Sequence, residues 1–228
     1  MNTTNIQQEQ ERYYDLLAPS YRQRSNCMDQ RSILNEFAPE WRSDCDLMEK
    51  CVSEVLQDAR IVADIGCGPS VIPSCMEFEV VYLVDSSKAM LSIAQSRLCP
   101  RSPVITFQAH AQHLPIPDVT CDAVLCCNLL SHLSSIDFSN TLNELCRIVK
   151  PEGVLLICDS MHPFPGRAIQ EGENIQIRSI AGIGCFRIYK EYRQPDEFLK
   201  HLVNGSILIN RGHRYLYAIK WQKYPKPT

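Results

Sequence analysis

Apolar and polar positions alternate with several different periods along the chain, and each change of period marks a new element. Residues 8–24 read as a helix carrying an aromatic patch, Tyr13 and Tyr14, followed by Tyr21. A second helical stretch runs from about Gln30 to Leu56. It is expected to break near Pro39, because proline removes an amide donor and clashes with the preceding turn. The pattern then becomes short continuous apolar runs: Ile61–Ile65, Val80–Val84, Val104–Phe107, Ala123–Cys127 and Val154–Cys158. Runs of that length ended by glycine or polar residues predict strands buried on both faces. Between the first two, a short helix is expected to start near Pro69, a residue suited to a first helical turn. Lys88–Leu98 and Phe138–Val149 read as helices, the second closed by Lys150-Pro151-Glu152-Gly153. Strands alternating with helices predict βαβ units and therefore a parallel sheet covered on both sides.

Beyond residue 160 this rhythm stops. Residues 175–180 and 186–192 alternate apolar with polar side chains around Ala181-Gly182-Ile183-Gly184, which predicts a hairpin. A helix is expected over 195–202. Ser206–Ile209 and Tyr215–Ile219 then flank Arg211-Gly212-His213 as an antiparallel pair. No internal repeat or low-complexity linker divides the 228 residues, so one domain is expected over 1–228.

Composition narrows the class. No apolar run approaches the roughly 20 residues of a membrane span. The stretch Met1–Glu9 is polar and acidic where a secretory signal would be basic and then apolar, so a cytoplasmic protein is expected. The 12 cysteines fall singly apart from Cys126-Cys127, without the paired spacing of zinc sites, and read as buried reduced thiols. No metal site is expected. A net charge of −3 argues against a general nucleic-acid binder. The charge is unevenly spread, with a balance of +7 over residues 176–228 and −10 over residues 1–175. A solvated basic face accounts for this, and so does a basic wall that attracts an anionic small-molecule partner.

The strongest local signal is Asp64-Ile65-Gly66-Cys67-Gly68-Pro69-Ser70, which follows a strand; 21 residues after Asp64 the second strand ends in Asp85. Glycines at a strand tip let backbone approach a ligand, and an acid at the next tip can accept both hydroxyls of a ribose. Together they imply an adenosine-type ligand across the carboxyl ends of the first two strands. A dinucleotide fingerprint would require glycine where the chain has Val71, and Pro69 offers no amide to a pyrophosphate. Asp64 suits a ligand with a positive amino group.

With these pieces in order, the chain resembles the class I S-adenosylmethionine-dependent methyltransferases, in the branch of ubiquinone-biosynthesis and small-molecule enzymes. The resemblance spans roughly residues 10–160. It rests on Tyr14–Tyr21, Val62–Ser70, Val84–Leu91, Ala109–Pro117, Cys121–Val124 through His132, and Arg147–Gly153. It implies an α/β, Rossmann-like methyltransferase fold: a mostly parallel seven-stranded sheet with an antiparallel C-terminal strand, an N-terminal helical lid and an inserted β-hairpin. Residues 1–57 would form the cap, 58–160 the cofactor-binding core, and 161–228 the acceptor-side hairpin and last strands. It also implies S-adenosyl-L-methionine as cofactor. Asp64, Gly66, Cys67 and Gly68 would hold its methionine part and Asp85 its ribose. Ser86 and Met90 would border the adenine, which Ala111 would meet through its backbone. Asn128 would sit near the methionine carboxylate, and Tyr14 and Tyr21 would close over the ligand. His110 stands where the family usually has an acid that receives the adenine amino group; a neutral imidazole can accept the same bond.

Methyl transfer from a sulfonium needs a base only if the acceptor must lose a proton. At the strand edge where ligands sit, His132 is the first candidate, with His162 and Asp159 behind it. Tyr189 and Tyr192 on the hairpin are candidates for lining an acceptor pocket. Two other readings stay open on these residues. One is a non-methylating enzyme that uses the same cofactor and releases methylthioadenosine; the other is a non-catalytic binding partner with the same fold.

Overall fold

A computed structural model of the chain describes residues 3–21, 39–163, 169–212 and 214–226. The elements are α1 (Thr3–Tyr21), α2 (Pro39–Leu56), β1 (Ile61–Ile65), β2 (Val80–Asp85), α3 (Lys88–Arg97), β3 (Val104–Gln108) and β4 (Cys121–Cys127). A 3-10 turn (Leu130–His132), α4 (Ser135–Ile148) and β5 (Val149–Ser160) follow. The remainder is β6 (Ile169–Gln170), β7 (Ile175–Ile180), β8 (Gly184–Tyr189), α5 (Pro195–Leu199), β9 (Gly205–Gly212) and β10 (Leu216–Lys223).

Seven strands form one sheet in the order β3-β2-β1-β4-β5-β10-β9. The pairs β1–β2, β1–β4, β2–β3 and β4–β5 are parallel, while β10 runs antiparallel to both β5 and β9. The expected mostly parallel sheet with an antiparallel C-terminal strand is the observed one. Side chains in a strand alternate between faces, and the core divides accordingly. Val62, Leu125, Leu156 and Cys158 join Met48, Val52 and Leu56 of α2 on one face. Ala63, Ile65, Val124, Cys126, Leu155 and Ile157 pack on the other against Phe138, Leu142 and Leu145 of α4. Both faces being dry is why these strands read as unbroken apolar runs.

Four expectations change. No helix follows β1: residues 66–79 form turns and bends. Pro69 and Pro73 stand four positions apart there, and Ser70 has a left-handed backbone (φ 65°), so helical hydrogen bonding cannot propagate. The expected hairpin is present as β7–β8, but the short strand β6 extends it to three strands and β8 ends at Tyr189. The turn at Lys150–Gly153 lies within β5 instead of separating it from α4. Helix α1 begins earlier than expected, and α2 begins at Pro39. The segments 22–24 and 30–38 of the expected helices, and His213, lie outside the described residues.

The inserted sheet sits against α1. Tyr13 packs with Phe186 and Ile188, and Arg187 is ion-paired to Glu9, which the guanidinium holds below the usual carboxylate range. Among the described residues no helix is long and apolar enough to cross a membrane, and no group of three or more metal-ligating side chains gathers. Their cysteines are free thiols, most of them buried.

Leu125 is fully buried at the centre of β4. Leu125→Ala is expected to lower the unfolding free energy by about 2–5 kcal/mol, the cost of a core cavity. Urea titration followed by circular dichroism measures it, and a midpoint unchanged from the parent would contradict the two-faced core.

Candidate functional site

The sheet order places β2 on one side of β1 and β4 on the other, so the chain reverses direction across the sheet at the β1/β4 junction. Open α/β sheets bind ligands in the crevice outside the strand carboxyl ends at such a point. A cavity of about 1210 Å³ opens here. That exceeds the roughly 300–1,000 Å³ of a single small-ligand pocket, leaving room for two molecules side by side.

On the β1/β2 side the wall is Gly66, Cys67, Gly68, Pro69, Asp85, Ser86 and Met90. The Gly66 and Cys67 amides both donate to the Val84 carbonyl, at 2.8 and 3.1 Å, so the loop leaving β1 is tied to the tip of β2. Gly66 (φ 63°) and Gly68 (φ 49°) are left-handed, a region that costs other residues strain. A Cβ on Gly66 would strike Leu129, whereas at Gly68 the space beyond is open. Asp85 accepts from the Gly68 amide on one oxygen and the Ser87 amide on the other, both at 2.8 Å. A carboxylate has about four acceptor sites, so two remain for a ligand. Burial pushes Asp85 above its ordinary range.

The other side of the cavity comes from later segments. Asn128, left-handed at φ 58°, and His132 follow β4. Ser160 and His162 follow β5, and Gln176, Arg178, Tyr189, Lys190 and Tyr192 come from the inserted sheet and the segment after it. Helix α1 contributes Tyr14 and Tyr21, and the segment after β3 contributes His110 and Ala111. The exposed His110 ring lies 3.4 Å from the Gln7 amide and 3.8 Å from a Glu11 carboxylate oxygen, so it meets α1.

His132 is buried and bonded at both nitrogens. Its Nδ1 lies 2.8 Å from the Tyr189 carbonyl and its Nε2 3.1 Å from the Tyr14 hydroxyl. A carbonyl can only accept, so Nδ1 carries the proton and neutral His132 has a bare Nε2, to which Tyr14 donates. Burial, with Glu191 beside it, pushes the Tyr189 phenol up to about 12, so that group stays protonated.

Two expected site residues stand behind the cavity wall rather than in it. Asp64 is buried and accepts from the Ser70 hydroxyl at 2.7 Å and the Val71 amide at 3.4 Å. Its carboxylate ties down the loop after β1 from behind the lining residues. Asp159 is fully buried, accepts from the Ser131 and Ser160 amides, and pairs with Lys190 at 3.7 Å. With its oxygens so engaged, it anchors the segment after β4 to β5 and to Lys190, which follows β8. Tyr14, Tyr21, Gly66, Cys67, Gly68, Asp85, Ser86, Met90, His110, Ala111, Asn128, His132 and His162 all line the cavity.

Arg178 and Gln176 were missed in the sequence. They share one face of β7, and alternation would ordinarily send such polar residues to solvent. The basic excess of the C-terminal third was the only hint. Arg178 donates to Gln176 Oε1 at 3.1 Å and to the Tyr14 hydroxyl at 3.4 Å, while its buried Nε has no partner.

A family model described as a methyltransferase domain matches residues 63–157. The demethylmenaquinone methyltransferase of Tropheryma whipplei is 31% identical over 122 residues, covering 54% of this chain and 48% of that protein. Residues 63–157 are thus similar to a methyltransferase domain. The Symbiobacterium thermophilum protein of the same name as that relative is 31% identical over 111 residues, covering 45% of this chain and 43% of its own. The chain thus spans about half the length of the curated methyltransferases it matches. Across the whole fold, the DhpI–SAH complex superposes with a TM-score of 0.69 at 19% identity, covering 99% of this chain and 100% of that one. At that identity the likeness speaks for the fold alone.

Burial, with the Asp85 charge adding to it, raises Asp64 to about 7 against the opposing Ser70 and Val71 bonds. The unfolded value is about 3.9, so the folded state binds this proton more tightly. Its contribution to stability is full below about pH 4 and is lost as pH rises through about 7. Between pH 5 and 7.5, urea unfolding should therefore show the parent losing more stability than Asp64→Asn. Equal losses in the two proteins would contradict the raised carboxyl.

Proposed function

We propose that the chain transfers the methyl group of S-adenosylmethionine to a small-molecule acceptor and releases S-adenosylhomocysteine. The observation that carries this reading is one cavity holding both the β1 loop with Asp85 and, beyond the β4 tip, an imidazole with a bare Nε2. Methyltransferase-domain similarity and the small-molecule enzymes among the curated relatives support it.

The residues present suit the cofactor. Asp85 keeps acceptor capacity for the two hydroxyls of a ribose. Gly68 leaves open space where any side chain would intrude on a ligand. Ser86, the buried Met90 and the Ala111 backbone form a slot suited to a flat base, with His110 at its edge. Asn128 lies where an amino-acid carboxylate would approach the end of β4. Tyr14 and Tyr21 cover the site from α1. When bound, S-adenosylmethionine supplies a methyl group already activated on sulfur. The protein's work is then orientation and exclusion of water, which a cavity roofed by α1 and the inserted sheet can perform.

His132 is the base in this reading. With the Tyr189 carbonyl fixing the proton on Nδ1, Nε2 takes the Tyr14 hydroxyl proton while the Tyr14 oxygen takes one from an oxygen or nitrogen acceptor as the new bond to methyl forms. The same carbonyl steadies the resulting imidazolium. His162, exposed at the cavity wall, is the alternative base.

Calorimetry and single-turnover assays with labelled cofactor and fractionated metabolites test these roles. Asp85→Ala should weaken binding of S-adenosylmethionine by about tenfold or more, the loss of charge-assisted hydrogen bonds. His132→Gln should bind it within about twofold of the parent and transfer methyl about 10²–10⁴-fold more slowly. Undiminished binding by Asp85→Ala would overturn the cofactor assignment, and methylthioadenosine as the product would overturn methyl transfer.

A further inference from the structure

The cavity is larger than one nucleoside requires, and its second end, which Glu173 also lines, carries a guanidinium without an ion pair among the described residues. Three cations of the inserted sheet and the segment after it are already paired. Arg187 meets Glu9, Lys190 meets Asp159 and Arg193 meets Glu191. Arg178 is different: among the described residues it forms no ion pair. It donates weakly to the Tyr14 hydroxyl and to Gln176, both neutral, and its Nε–H is buried without an acceptor. Buried charges are ordinarily paired and buried donors ordinarily satisfied. A guanidinium that lines a cavity with three of its five N–H groups unassigned is a site lacking its partner.

The surroundings specify what that partner is. Gln176, bonded to Arg178 through Oε1 and to the Tyr192 hydroxyl through Nε2 at 2.6 Å, holds the guanidinium on the face of β7 that meets the cavity. Lys190, also on the wall, is bonded to Ser131 and Ser160 and adds positive potential although paired. The planar fork of an arginine matches a two-oxygen anion better than a point charge would. Tyr14 connects this end to the candidate base, since its hydroxyl contacts both Arg178 and His132.

We propose that Arg178 is the anchor of the acceptor subsite and that the acceptor is a small molecule carrying an oxyanion, a carboxylate or a phosphoryl group. This rests on the reading of the site as a methyltransferase and names its substrate class. The anionic end docks on Arg178, and its distance from His132 through Tyr14 sets which atom of the acceptor meets the methyl group.

The test uses the full chain, with and without S-adenosylhomocysteine, and three probes of similar shape: benzoate, phenylphosphonate and neutral benzamide. Calorimetry should show at least one anionic probe binding the parent at least tenfold more tightly than benzamide, and which of the two prevails identifies the anion. Arg178→Met should lose that preference, Arg178→Lys should keep part of it, and affinity for S-adenosylhomocysteine should stay within about twofold in both. Thermal melting of Arg178→Met should not fall below the parent, because a buried unsatisfied donor has been removed. Equal binding of all three probes to the parent, or an anion preference that survives in Arg178→Met, would overturn the proposal. Failure of the parent to bind S-adenosylhomocysteine would instead count against the cofactor reading. The anion preference, measured without that ligand, would still decide the role of Arg178.

Discussion

The parallel pairing of β1 with both β2 and β4 constrains the rest of this molecule. Because these strands and β5 run the same way, the loops after β1, β2, β4 and β5 leave the sheet at one edge. The hydrogen-bond register fixes their heights relative to one another: Asp64 stands beside Leu83 and Leu125, and Cys127 beside Cys158. A ligand spanning that edge meets chemistry drawn from residues 66 to 162 without any of it being adjacent in sequence. The price of this arrangement is two dry faces, and the apolar runs of the strands meet it.

Buried carboxylates then shape the edge. Asp64 and Asp85 both sit above their ordinary range through burial, yet each is tied to the same short loop, Asp64 through Ser70 and Val71 and Asp85 through Gly68. The loop is left-handed at Gly66, Gly68 and Ser70, and hydrogen bonds to the two acids offset the strain of holding it there. Asp159 plays the corresponding part on the far side, where one carboxylate gathers Ser131, Ser160 and Lys190. These acids differ in reach rather than in chemistry. Asp85 opens onto the cavity, and the oxygens of the other two meet donors behind its wall.

That difference explains what the sequence could and could not reveal. Ile61–Ile65 and Val80–Val84 announced themselves because a strand buried on both faces has no polar alternative, and the glycines after β1 marked a backbone that needs positive φ. The fold and the β1/β2 half of the cavity followed. Asp64 and Asp159 looked like site acids because an acid at a strand tip carries no mark of the direction in which its oxygens find donors. The helix expected at Pro69 failed because the proline that can open a helix sits in a loop whose torsions are set by Asp64 from below. Arg178 left no trace beyond the basic excess of the C-terminal third: in a period of two, a polar residue facing an enclosed cavity reads the same as one facing water.

The two halves of the cavity are joined by α1 more than by the sheet. Its Glu9 and Gln10 hold Arg187 and the Tyr189 amide of β8, and its Asp15 holds Ser87 at the start of α3. The helix therefore spans from the β2 end of the cavity to the inserted sheet, with Tyr14 between them touching His132 and Arg178. The tautomer of His132 is set on one side by the Tyr189 carbonyl, whose own strand is pinned by Gln10, and its other nitrogen is met by Tyr14. Any motion that lifts α1 would release His132, Arg178 and the β2 end together. A single helix thus ties the β2 end of the cavity to the inserted sheet, and in the proposed reading it joins the cofactor end to the acceptor end.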